Sequence, residues 1–139
     1  DCPETDICYL GECIDIEGFY FDFEVTFFDP IECVDGWGDA ELFYKYFEAE
    51  IEQGSSEVSE GPADWSGDYR FYDPLKSFNL EFWELDAFFD DYLTSICWPD
   101  GDTCGPVPKY VLHDGGFSGF TGDGQFYVEI LFYPVDLDY

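Results

Sequence analysis

Methionine is absent from this 139-residue chain, and only Lys45, Arg70, Lys76 and Lys109 carry a basic side chain. Against thirty-three Asp and Glu, these four cations leave a formal net charge of -29, which repels nucleic acid and anionic membrane surfaces. No nucleic-acid partner is therefore expected. Histidine is as scarce. His113, alone in "VLHDGG", reads as a surface or hydrogen-bonded residue rather than a catalytic base. No Cys-x-x-Cys pair occurs, which argues against zinc. "GGFSGF" is not a nucleophile elbow, because Phe120 stands where the second glycine of G-x-S-x-G belongs. Two carboxylates could hydrolyse a glycoside, but among thirty-three the presence of a pair selects nothing, and no enzymatic activity is expected. No apolar run approaches the roughly 20 residues needed to cross a bilayer as a helix.

What is present argues for a folded domain. Hydrophobic residues make up 46% of the chain and aromatics 22%, unlike a disordered acidic tail, and the length suits one domain with a substantial core. So large a net charge opposes compaction. Metal cations, high environmental salt or a basic partner could balance it; the alternative is a solvated acidic surface. Six cysteines, Cys2, Cys8, Cys13, Cys33, Cys97 and Cys104, read as a disulfide framework, and with the missing methionine and a start at Asp1 they point to a processed, secreted product. Three lie before residue 19 and three after it. If all six pair within the chain, at least one bridge must tie the two parts together. Cys97 and Cys104 flank the turn "WPDGDTCGPVP" and could close a small loop, leaving Cys33 for the cross-link; alternatively Cys33 pairs with Cys97 and the N-terminal part reaches Cys104.

Residues 1–18 read as a cysteine-rich N-terminal extension and 19–139 as a single sandwich domain. In "FYFDFEVTFF", Phe19, Phe21, Phe23, Val25 and Phe27 share one face while Asp22, Glu24 and Thr26 share the other, the period of two of a half-buried strand. "ELFYKYFEAEI" (41–51), "SFNLEFWEL" (77–85) and "QFYVEILFY" (125–133) look similar. "AELFYKYFEAEIEQ" has a composition compatible with a helix, but its rings suit a strand better. The intervening stretches, including "EQGSSEVSEGPADWSGD" and "HDGGFSGFTGDG", are rich in Gly, Pro, Asp and Ser. Strands punctuated in this way predict an antiparallel sandwich or barrel, with few helices.

Two acidic loops offer oxygen ligands for a hard cation such as calcium, which takes six to eight. "VDGWGD" supplies Asp35 and Asp39; "ELDAFFDD" supplies Glu84, Asp86, Asp90 and Asp91. In "FNLEFWELDAFFDDYLTSICW" a strand leads into an acidic pair, an aromatic tip and Asp-Asp before the next strand. This segment resembles C2 domains. "IECVDGWGDAELFYKYF" is similar to their first calcium loop and its strand, "GPADWSGDYRF" to their Pro and Trp turn, and "GQFYVEILFYP" to their closing strand. The likeness spans about residues 19–134. With its disulfides and the "WELDAFFDDYLTSIC" run, the chain looks most like the secreted C2 domains of perforin and its relatives.

The resemblance implies an eight-stranded antiparallel β-sandwich of Greek-key type, with calcium held by Asp35, Asp39, Asp86, Asp90 and Asp91, and with Glu84 where the family usually has Asp. The first and third loops are both shorter than usual, and the basic cluster on the sandwich face is absent. Trp37, Phe88 and Phe89, near the loop tips, could enter a phospholipid membrane, pack on neighbouring loops or contact another copy of the chain. A secreted calcium-binding module is the expected function. The alternative is a structural or self-assembling coat, matrix or filament subunit.

Overall fold

A computed structural model describes residues 2–30, 41–86, 88–98, 104–121 and 124–135. The expected antiparallel sandwich is observed. Four segments with period-two patterning become its long strands: β3 (Tyr20–Pro30), β4 (Glu41–Glu48), β8 (Phe78–Glu84) and β11 (Phe126–Val135). One sheet has the order β10-β11-β3-β7, where β7 is Arg70–Tyr72 and β10 is Gly116–Phe120. The facing sheet runs β5-β4-β8-β9, where β5 is Ile51–Ser55 and β9 is Asp91–Cys97; a two-residue strand, β6 (Ser59–Glu60), adds to β4. The two main paths together hold the eight strands anticipated.

The core is the interface between the sheets. Phe21, Phe23, Val25 and Phe28 of β3 and Val128, Ile130 and Phe132 of β11 face Tyr44 and Tyr46 of β4 and Phe78, Leu80 and Phe82 of β8, all buried. Rings carry much of the contact. Phe28 stacks on Phe82 with centroids 4.0 Å apart, and Phe23 meets Phe78 edge-on at 5.1 Å. The expected alternation along β3 breaks near its end, where the register against β11 shifts between Glu129 and Ile130. Such a bulge moves later residues to the other face. Phe28 therefore enters the core, while Phe27, predicted to point inward, is half-buried against Tyr127.

Two further expectations are corrected. The strand predicted over 41–51 stops at Glu48, because Ala49 and Glu50 both take positive φ (52° and 66°) and turn the chain back into β5. "HDGGFSGFTGDG" contains β10 beside β11, preceded by one short helix, α1 (Lys109–Asp114). Gly116 permits that pairing, since a Cβ there would meet the Ile130 carbonyl oxygen at 2.7 Å.

The first eighteen residues hold more regular structure than their sequence suggested. β1 (Asp6–Tyr9) and β2 (Glu12–Asp15) form a hairpin followed by a 3-10 turn over Ile16–Gly18. Ile16 is fully buried, and Ile7, Tyr9 and Ile14 pack against the core. Cys2 is bonded to Cys13 within this segment, and Cys97 to Cys104 across the Gly and Pro-rich turn. The second bridge is the small loop closure of the first pairing scheme, and it overturns Cys33–Cys97 and the reach of the N-terminal part to Cys104. Cys8 is a free, exposed thiol, and Cys33 lies outside the described residues. No disulfide among the described residues ties the hairpin to the sandwich. Packing and polar contacts do so instead: His113 Nδ1 lies 2.7 Å from the Asp6 carbonyl oxygen, and Lys109 Nζ lies 3.4 Å from Glu17.

Candidate functional site

The acidic loop is built by the β8–β9 hairpin. Phe82 anchors β8 in the core, and two residues later the strand ends at Glu84, paired across the sheet with Asp91, the first residue of β9. Like charges directly opposite in an antiparallel pair are destabilising. Glu84 is half-buried while Asp86, Asp90 and Asp91 are exposed. Burial, and after it the charges of Asp91 and Asp86, lifts the Glu84 carboxyl above the ordinary glutamate range. Asp86 Oδ1 takes the Phe88 backbone N–H at 3.4 Å. At the tip, Phe88 and Phe89 are 87% and 80% exposed, so neither ring packs on a described neighbour as a core residue would.

None of the four basic side chains forms an ion pair with this loop among the described residues. Lys45 sits 4.3 Å above the Trp83 ring, Arg70 pairs with Asp68 at 3.1 Å, Lys76 with Glu48 at 3.5 Å and Lys109 with Glu17 at 3.4 Å. The loop's negative field is left to solvent and whatever ions it contains.

The donor set, all carboxylate oxygen, suits a hard cation. Its convergence is incomplete. Among the described residues no three His, Cys, Asp or Glu side chains come together closely enough to hold a metal ion. Asp35, Asp39 and Trp37 of the first acidic loop lie outside the described residues. Glu84, Asp86, Asp90 and Asp91 do not by themselves make such a group.

Polar sites without a sequence signal occur elsewhere. A cleft of about 520 Å³ is lined by Glu57, Asp64, Asp68 and Arg70, with Trp65 buried in its wall. There Arg70 makes a forked contact with Asp68, Nε to Oδ1 and Nη2 to Oδ2 at 3.1 Å, and Tyr44 Oη donates to Asp68 at 2.9 Å. Glu24, predicted to lie on the outer face, is buried; it accepts the Gly67 N–H at 2.8 Å and the Tyr133 hydroxyl. That hydrogen bond, with burial second, pushes Tyr133 up to about 12. Asp64, Asp68 and Glu24 each have partners within the fold, and the "GPADWSGDYRF" turn contributes Asp64 and Asp68 and the buried Trp65.

No family model matches the chain, and neither does any curated protein. Solved structures do. A structure described as that of a C2 domain is 13% identical with a TM-score of 0.50, the match covering 84% of this chain and 97% of that one. The C2A and C2B domains of extended-synaptotagmin 2 in calcium-bound form give 11% identity and a TM-score of 0.57, covering 86% of this chain and 46% of theirs. The C2A domain of plant extended synaptotagmin 1 gives 12% and 0.50, covering 85% and 96%. At such identities the likeness establishes architecture: the chain has the fold of a C2 domain.

Proposed function

We propose that the protein is a secreted, non-enzymatic calcium-binding module that docks on phospholipid through its acidic loop. The observation that carries this reading is the uncompensated Glu84 and Asp91 pair, with Asp86 and Asp90 beside it, beneath two exposed phenylalanines. A C2-fold neighbour solved in calcium-bound form supports the choice of ion. Asp35, Asp39, Glu84, Asp86, Asp90 and Asp91 would hold calcium. When bound, the ion supplies positive charge that offsets repulsion between this acidic chain and anionic headgroups. Phe88 and Phe89, with Trp37, enter the interface. Two disulfides suit an extracellular setting.

Sedimentation with phosphatidylserine-containing vesicles tests the proposal. Binding is expected with calcium, is lost in chelator, and survives moderate salt because apolar burial is not screened. Pelleting that ignores chelator overturns calcium-dependent docking, and none at all overturns lipid docking. Concentration-dependent assembly without vesicles would favour a self-associating structural subunit.

A further inference from the structure

The N-terminal hairpin holds three cysteines and one bridge. β1 and β2 are joined by Leu10 and Gly11, with φ of 52° and 82°, the primed two-residue turn whose twist matches that of the strands. The register sets Tyr9 opposite Glu12 and Cys8 opposite Cys13. Hydrogen-bonded and non-hydrogen-bonded pairs alternate along an antiparallel ladder. Beside such a turn the first pair is hydrogen-bonded, so Cys8 and Cys13 form the closer kind, with Cα atoms about 4.5 Å apart. Disulfides form over Cα separations of about 4.4 to 6.8 Å. Ile7, Tyr9 and Ile14 turn towards the core, which directs Cys8 and Cys13 together to the exposed face. Yet Cys13 is bonded to Cys2, at a Cα separation of 5.5 Å, and Cys8 is free. A free thiol therefore stands across one strand pair from a sulfur already in a disulfide.

We propose that this hairpin is a thiol–disulfide exchange site in which Cys13 is shared between Cys2 and Cys8. The Cys8 thiolate attacks Cys13 Sγ; the Cys2–Cys13 bond breaks as the Cys8–Cys13 bond forms, and Cys2 leaves as a thiolate that takes up the proton Cys8 released. One thiol and one disulfide are present before and after, so no outside oxidant or reductant is required. In one form residues 2–5 are tied to β2. In the other the hairpin is stapled across its own strands, and Cys2 becomes the thiol open to mixed-disulfide formation with a thiol-bearing partner. The contacts of Asp6 with His113 and of Glu17 with Lys109 hold the hairpin on the body in either form. This site is independent of the acidic loop and of calcium.

Alkylation of the oxidised, folded protein with iodoacetamide at increasing pH tests it, since the thiolate is the attacking species. Unfolding, reduction and a heavier second label then mark the bridged cysteines, and cleavage after Glu4 and Glu12 places Cys2, Cys8 and Cys13 on separate peptides. The expected result is a single label shared between Cys2 and Cys8. Cys8→Ser abolishes labelling of Cys2 when oxidised, and Cys2→Ser contains a Cys8–Cys13 bridge. Label confined to either Cys2 or Cys8 in the wild-type protein, Cys8 bridged to Cys33 or to another chain, or Cys8 and Cys13 both free in Cys2→Ser would each overturn the proposal.

Discussion

Two hairpins in this protein place acid opposite acid: Asp6 faces Asp15 between β1 and β2, and Glu84 faces Asp91 between β8 and β9. Their surroundings differ. Asp15 Oδ1 takes the Glu17 N–H at 2.9 Å and lies 4.0 Å from Lys109 Nζ, and Asp6 Oδ1 accepts from Thr5 at 3.1 Å. The second pair has no basic partner among the described residues, and its glutamate titrates upward. The same cross-strand repulsion is thus locally answered in a structural element and left standing beneath an exposed aromatic tip. On the proposed reading, the absence of a basic partner together with the exposed tip is what marks the second pair as the place for an ion; Glu41 and Glu60, which also face each other, have no such tip.

Calcium should break the contrast most strongly. At a hundredfold excess over its dissociation constant, an ion bound only by the folded state adds about 2.7 kcal/mol per independent site. The melting temperature is expected to rise by several degrees, less with magnesium, and the rise should be lost in Asp86→Asn. An unchanged melt in calcium would remove the ion from the account.

Neutralising one member of the unanswered pair sharpens it. In chelator, Asp91→Asn should stabilise the protein by roughly 0.2–1 kcal/mol, the usual scale for cross-strand pairs, while blunting the calcium response. Urea titration reads both. Removing the answering cation does the reverse: Lys109→Ala should cost about 0.2–1 kcal/mol at low salt and less at high salt, because these contacts are exposed and screened.

The pH dependence has a definite sign. With its carboxyl raised in the folded state, Glu84 binds its proton more tightly there than in the unfolded chain. Stability from this group is therefore present below the ordinary glutamate pKa and declines as pH climbs from that value through the raised one. Glu84→Gln should flatten this part of the urea midpoint profile in chelator, and calcium should flatten it in the parent protein. The smallest stability effect belongs to the tip. Phe88→Ala and Phe89→Ala should stay within about 0.5 kcal/mol of the parent melt, since both rings are exposed, yet abolish vesicle pelleting.

Much of the sandwich was legible because strands half-exposed to solvent must alternate. Phe21, Phe23 and Val25 declare a face, as do Phe78, Leu80 and Phe82. Phe27 misled because a bulge is a property of two paired strands and leaves no mark on one of them. The turn at Ala49 and Glu50 was hidden for a related reason: neither residue is a usual choice for positive φ, so only the pairing of β4 with β5 reveals it. α1 is six residues long, too short to display a helical period. At the candidate site, carboxylate spacing singled out Glu84, Asp86, Asp90 and Asp91 as candidates. The facing of Glu84 and Asp91 required the register, and the occupation of all four cations required the tertiary fold.

The stacked rings of Phe28 and Phe82 bear on how such a site would respond to its ligand. Phe28 stands near the end of β3, just before the segment carrying Asp35 and Asp39, and Phe82 stands just before Glu84. The hairpin that carries Glu84 and Asp91 thus springs from a clamped pair whose rings are planted in different sheets. Its base is held at a height set by the thickness of the core. Changes made at the tip of this hairpin would then act above a fixed gauge and leave the sandwich below undisturbed.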